Sequence, residues 1–178
     1  MTKLILLDRD GVINFDSPQY IKAPSEWMPL PGSLKAIADL CRAGYLVGIC
    51  SNQAGVARGK LRDVDLDAIH DKMCAAIANA GARLSCAHYC RHHPDAGCHC
   101  RKPKPGMLEA AMRELSVQPE QTIFVGDSLR DVQASLAARC QPVLVRTGNG
   151  SNAEAQATKL TPLCVFDDLS HFVRELLS

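Results

Sequence analysis

Leu4-Ile5-Leu6-Leu7-Asp8-Arg9-Asp10-Gly11 runs four apolar residues straight into two carboxylates one residue apart. A short, uninterrupted apolar run of this kind reads as a strand buried on both faces of a parallel sheet. In open α/β sheets ligands bind just beyond the carboxyl ends of such strands. Two acids at that place suit a divalent cation, or a nucleophile paired with a proton shuttle.

Outward from that stretch, strand-like and helix-like patterns alternate. A strand is expected over Lys3–Leu7, and a helix from Pro31-Gly32 to about Arg42, with Leu34, Ile37, Ala38 and Cys41 at helical spacing. Tyr45–Cys50 reads as a second strand and Arg62 to about Ala80 as a long amphipathic helix. Then come a strand at Cys86–Cys90, a helix at Gly106–Leu115, a strand at Thr122–Val125 and a helix at Asp131–Arg139. Pro142–Arg146 and Cys164–Phe166 read as strands, and Leu169–Leu177 as a closing helix. Alternation of this kind predicts one α/β domain over 1–178, a Rossmann-like three-layer αβα sandwich around a parallel sheet, with no large cap domain. Asn14–Leu30 and His92–Pro105 resist the pattern and read as loops overhanging the active face.

The bulk properties narrow the function. A chain of 178 residues with 47% hydrophobic and 22% charged residues can bury a full core. A net charge of +1 gives no basic field for nucleic acid, and no apolar run approaches a membrane span. The start of the chain lacks the layout of a signal peptide. A small-molecule substrate and a cytoplasmic location are expected. Nine cysteines, an odd number, argue against a disulfide framework in that compartment. Cys41, Cys50, Cys74, Cys86, Cys140 and Cys164 lie in apolar segments and read as small buried hydrophobes.

Polar groups close three of the strands: Asp8 and Asp10, then Ser51-Asn52, then Asp127 with Asp131 four residues on. A fourth element, Arg101-Lys102-Pro103-Lys104-Pro105, precedes a helix. Any one of these alone reads equally well as a turn or a helix cap. Together they supply carboxylates for Mg²⁺, a lysine against phosphate oxygens and a hydroxyl, an inventory suited to phosphoryl transfer. No glycine-rich Walker loop is present. Between Cys90 and Cys100, three thiols and three imidazoles share eleven residues. Cys90, His92, Cys98 and Cys100 have the spacing of a four-ligand structural zinc site, with His93 and His99 as rival nitrogen ligands. A zinc there would fold a loop too short for a core of its own and would fix Arg101 and Lys102.

In order, Asp8-x-Asp10-Gly11, Ser51-Asn52, Lys102-Pro-x-Pro and Gly126-Asp127-x-x-x-Asp131 resemble the four motifs of the haloacid dehalogenase (HAD) superfamily of phosphatases. The resemblance covers nearly the whole chain. It implies Asp8 as nucleophile, Asp10 as acid and then base, and Ser51 and Lys102 as catalytic groups on the phosphoryl oxygens. Since Asp10 must be protonated for the first step, a raised pKa is expected there. It implies Mg²⁺ on Asp8, Asp127 and the backbone carbonyl of Asp10, with Asp131 acting at one remove. The zinc loop resembles two groups of that superfamily, one acting on a heptose bisphosphate and one on histidinol phosphate. Asp8-Arg-Asp-Gly-Val-Ile-Asn14, Tyr20-Ile-Lys-Ala-Pro-Ser-Glu-Trp27, Ser51-Asn-Gln-Ala-Gly-Val-Ala-Arg-Gly59 and Arg101-Lys-Pro-Lys-Pro-Gly-Met107 favour the first. Ala54 stands where that group often carries serine. The resemblance implies removal of the 7-phosphate on the way to the ADP-heptose of lipopolysaccharide core, by a monomer. It also implies a substrate site lined by Asp16, Ser17, Pro18, Gln19, Asn52, Gln53, Ala54, Arg101 and Ser128, with Arg101 gripping the distant phosphate. A zinc-loop binding module on a dead phosphatase fold is the contrasting reading, and the complete set of charged residues weighs against it.

Overall fold

The computed structural model describes residues 3–178. Six parallel strands form one sheet in the order β3-β2-β1-β4-β5-β6: β1 Leu4–Leu7, β2 Leu46–Asn52, β3 Cys86–Cys90, β4 Thr122–Gly126, β5 Gln141–Val145 and β6 Cys164–Phe166. From the central β1 the chain winds outward through β2 and β3, then crosses to β4 and winds outward the other way. The strand order therefore reverses between β1 and β4, which opens a crevice at their carboxyl ends. All four residues of β1 are fully buried because helices cover both faces.

Side-chain alternation along the strands divides the core into two layers. Ile5, Leu7, Val47, Ile49 and Val125 face α1 (Ser33–Arg42), α2 (Asp63–Asn79) and α6 (Leu169–Leu177). Leu4, Leu6, Cys50, Cys86, Cys90 and Phe124 face α3 (Gly106–Glu114) and α4 (Leu129–Ala137). Leu144 packs with Val132 of α4 and Ala157 of α5 (Gly150–Leu160). Each large apolar side chain so enclosed stabilises the fold by about 1.5–3 kcal/mol relative to exposure.

The three-layer α/β architecture agrees with the expectation from the strand-helix alternation. α5 did not announce itself: its polar and alanine-rich sequence has only Gly150 and Ala157 buried, too little for a periodic apolar face. The cysteines need a correction. Cys50, Cys86 and Cys140 are buried, but Cys41 and Cys74 are half-buried and Cys164 is exposed. Cys164 opens a three-residue edge strand, which explains its access to solvent. The Asn14–Leu30 segment contains only a 3₁₀ turn at Pro24–Glu26. It is nevertheless anchored: Trp27 is fully buried, and Lys72 of α2 donates to the Pro24 and Trp27 carbonyls at 2.6 and 2.9 Å.

Candidate active site

β1 delivers Asp8 into the crevice. The Asp8 amide makes one last ladder bond to the Val125 carbonyl (2.9 Å), so the carboxylate stands one residue beyond the sheet. Its Oδ1 accepts from the Arg9 amide at 2.7 Å and its Oδ2 lies 2.7 Å from Lys102 Nζ. Lys102 Nζ also lies 2.7 Å from Asp131 Oδ1, and its side chain is only 2% exposed. The other oxygen of Asp131 accepts from the Ser128 amide and hydroxyl at 3.0 and 2.6 Å, a cap that starts α4. Ser128 and Asp131 are thus bound to each other as well as to the site.

Asp127 Oδ2 accepts from the Asn149 amide at 2.8 Å, between Gly11 and Gly148. Both glycines have positive φ (82° and 56°), and a Cβ on either would collide with that carboxylate. Thr147 Oγ1 donates to the Gly11 carbonyl at 2.7 Å and closes the same corner.

Carboxylate oxygens of Asp8, Asp127 and Asp131 lie within 4.8 Å of one another. Lys102 is the only cation that touches them among the described residues, so negative charge remains uncompensated in a buried place. The consequence is visible in proton affinity. Burial pushes Asp8 up to about 6 against the pull of Lys102. Burial, with the charges of Asp8 and Asp131, pushes Asp127 up to about 8. Lys102 is held above its usual range because Asp131 and Asp8 outweigh its burial. Such a group fits a hard divalent cation: Asp8 Oδ1 accepts only from the Arg9 amide, and Asp127 Oδ1 carries no hydrogen bond within the protein.

Asp10 is held differently. The fully buried Arg9 donates to both its oxygens at 2.9 Å, Asn14 to Oδ1 at 2.9 Å and Gln53 to Oδ2 at 2.8 Å. Against burial, the Arg9 charge and these bonds hold its carboxyl below the ordinary range. The raised pKa expected for Asp10 is therefore not a property of the free site: its neighbouring guanidinium reverses the sign. Arg9, Asn14 and Gln53 carry this effect, and the first two have no part in the four motifs. An arginine between two acids was the available signal.

Asn52 is engaged at both ends, donating to the Lys102 carbonyl and accepting from the Lys102 amide at 3.1 Å each. It ties the end of β2 to the Lys102 loop. Gln53, besides holding Asp10, donates to Ser51 Oγ at 3.1 Å. A cavity of about 100 Å³ lies over Asp8, Ser51, Lys102, Asp127 and Ser128. It adjoins one of about 470 Å³ lined by Asp16, Ser17, Pro18, Asn52, Gln53, Ala54 and Arg101. Gln19 lines neither cavity; it sits exposed on a turn whose bonds run to Ser17 and Lys22. Tyr20, Arg58 and Arg130 join the larger cavity, and Asn149 the smaller. Tyr20 adopts a left-handed conformation (φ 65°), a strain the anchored loop sustains. Arg130 borders both cavities on the first turn of α4, and no ion pair or hydrogen bond holds its side chain among the described residues. Arg101 Nη1 is buried without a partner.

Cys90 ends β3, and the loop after it returns Cys98 and Cys100 to the same point. The Sγ–Sγ distances are 3.7 Å (Cys90–Cys98), 3.3 Å (Cys90–Cys100) and 3.5 Å (Cys98–Cys100). His92 Nδ1 lies 3.2 Å from Cys100 Sγ and 3.7 Å from Cys90 Sγ. Four thiolate-like ligands around zinc would stand about 3.8 Å apart, and the three sulfurs already lie 3.3–3.7 Å from one another. Of the rival histidines, His99 pairs with Glu109 and His93 with Asp95, away from the cluster.

A doubly wound parallel sheet with this acid-lysine array at its switch point defines a HAD-like phosphohydrolase. The HAD-hydrolase-like family model matches residues 99–172. The chain is 48% identical to the D-glycero-β-D-manno-heptose-1,7-bisphosphate 7-phosphatase of Pseudomonas putida, over 98% of this chain and 99% of that one. It is 47% identical to the enzyme of the same name from Bordetella bronchiseptica, covering 98% of each. The crystal structure of the D,D-heptose 1,7-bisphosphate phosphatase of B. bronchiseptica, complexed with magnesium and phosphate, superposes with a TM-score of 0.95 at 47% identity, covering 99% of this chain and 98% of that one. That from Burkholderia thailandensis gives 0.78 at 38%, covering 99% of both. The chain belongs to the D-glycero-D-manno-heptose 1,7-bisphosphate 7-phosphatase family of HAD hydrolases.

Proposed function

We propose that the protein hydrolyses the 7-phosphate of D-glycero-β-D-manno-heptose 1,7-bisphosphate, on the way to the ADP-heptose of lipopolysaccharide core. The observation that carries this is the pairing of two cavities: a small one over Asp8 and Lys102, sized for a phosphoryl group, and a larger one bordered by Arg58, Arg101 and Arg130. A bisphosphate presents an anion to each. Histidinol phosphate would instead bring a cationic amine to three guanidinium groups, which disfavours that alternative. The presence of Asp8, Asp10, Ser51, Lys102 and Asp127 around one cavity likewise disfavours a dead binding module.

In the mechanism this implies, Asp8 attacks phosphorus in line and the sugar oxygen leaves, forming an aspartyl-phosphate. Asp10 protonates the leaving oxygen, then takes a proton from the water that opens the intermediate. A phosphate dianion beside Asp10 opposes the effect of Arg9 and raises the proton affinity that the first step needs. Ser51 and Lys102 bind the equatorial oxygens. Asp8, Asp127 and the Asp10 carbonyl would hold Mg²⁺, which screens the phosphate charge from the attacking carboxylate. Cys90, His92, Cys98 and Cys100 would hold Zn²⁺, which ties down the loop that presents Arg101 and Lys102. We read the chain as one catalytic domain, monomeric and cytoplasmic. All helices pack on one sheet, and no described helix is long and apolar enough to cross a membrane.

The test is phosphate release with Mg²⁺ from both anomers of heptose 1,7-bisphosphate, histidinol phosphate and an aryl phosphate. Preference for the β anomer supports the reading, and preference for histidinol phosphate overturns it. Arg130→Ala is expected to raise KM for the bisphosphate about tenfold, because one charge-assisted contact is lost. Its kcat/KM on the aryl phosphate should fall less, and equal losses on both would place Arg130 at the transferred phosphoryl group instead of the distant phosphate. Stripping the loop metal with a chelator, then restoring Mg²⁺, is expected to lower kcat/KM about 10–100-fold. Proteolytic cleavage between residues 92 and 101 should appear at the same time, with the far-UV spectrum little changed.

A further inference from the structure

We infer that Cys86, His88 and Glu114 form a second site for a borderline divalent cation such as Zn²⁺, separate from the cysteine loop. Cys86 and His88 are two residues apart on β3, so their side chains share one face of this edge strand. That face meets α3, whose last residue is Glu114. One ligand atom from each of the three lies within 4.8 Å of the others, and His88 Nε2 stands 3.0 Å from the Glu114 carboxylate. Sulfur, imidazole and carboxylate together are a zinc-like donor set. The three ligands leave one coordination position for water or an outside ligand.

The surroundings are built for access from one side. Cys86 is buried, His88 half-buried and Glu114 exposed, which gives an entry path from solvent to thiol. Gly48, the sheet neighbour of Cys86, leaves the space its sulfur fills, since a Cβ there would press on Sγ. Burial and the Glu114 charge push the Cys86 thiol up to about 11, so a bound cation would have to displace its proton. Cys90 of the loop lies four residues further along the strand, about 13 Å away, so one ion cannot serve both places. A bound ion would clamp the sheet edge to α3 beside the cysteine loop.

The experiment is a titration of Co²⁺ into enzyme carrying a single equivalent of zinc, which the four-donor cysteine loop takes first, with Mg²⁺ in excess. Only a cysteine ligand gives a thiolate-to-cobalt charge-transfer band, so metal on the aspartate site stays silent. The expected result is one further equivalent with the intensity of one thiolate, lost in Cys86→Ser and His88→Ala. Glu114→Gln, at an exposed position that does not endanger folding, should need about tenfold or more cobalt to reach the same band. No band in the unaltered protein, a band that survives Cys86→Ser, or an unchanged titration in Glu114→Gln overturns the site.

Discussion

Asp8→Asn is expected to lower kcat by about 10⁴-fold or more while leaving the fold intact. The replacement has the same shape, and Asn Oδ1 can still accept from Lys102, whose second partner Asp131 remains at 2.7 Å. What is lost is the anionic oxygen that forms the covalent bond. The amide is a poor nucleophile, and the neighbouring carboxylates are committed elsewhere: Asp131 is bound to Lys102 and Ser128, Asp10 to Arg9, Asn14 and Gln53, and Asp127 would hold Mg²⁺. Steady-state phosphate release with the β bisphosphate measures the loss, and circular dichroism with thermal melting checks the fold. Turnover within tenfold of the unaltered protein would sink Asp8 as nucleophile.

Lys102→Met should damage both activity and stability. The ammonium is enclosed between two carboxylates and packs 5.1 Å over the Phe124 ring. Removing it leaves buried charge unpaired, at a cost of about 3–5 kcal/mol. It also removes a donor to the phosphoryl oxygens, worth about 10²–10³-fold in kcat. Denaturant unfolding and single-turnover assays separate the two effects. Adding Asp131→Asn to Lys102→Met should recover part of the stability and none of the activity, since it removes an unpaired charge without returning the cation. Full retention of stability in Lys102→Met alone would show that the triad is more hydrated than its burial indicates.

Much of this molecule is legible along the chain because its chemistry sits at strand ends. Apolar runs of four to six residues mark the strands, and the polar residues that stop them must lie at the carboxyl edge of a parallel sheet. Leu4–Leu7 before Asp8, and Thr122–Val125 before Asp127, needed no tertiary information. The cysteine cluster was legible for a similar reason: its thiols and imidazole are close in sequence, so spacing constrains geometry. Other features left no such mark. α5 has no apolar stripe. Gln19 falls in the segment that lines the larger cavity but points elsewhere, because the turn at Ser17–Tyr20 carries it outward. Loop direction is set by anchors such as Trp27 and Lys72, which pair across 45 residues.

The sequence by itself determined the sheet, the order of the motifs and the inventory of acids, lysine and thiols, because periodicity and near-neighbour spacing are local properties. Tertiary structure alone decided how those groups are charged and which neighbours they hold. Arg9 turning back onto Asp10, Asn52 clasping the Lys102 backbone across 50 residues and Arg130 standing free between two cavities are products of the crevice between β1, β2 and β4. Proton affinity and hydrogen-bond partnership depend on distance and burial in three dimensions, and neither is written in the order of residues.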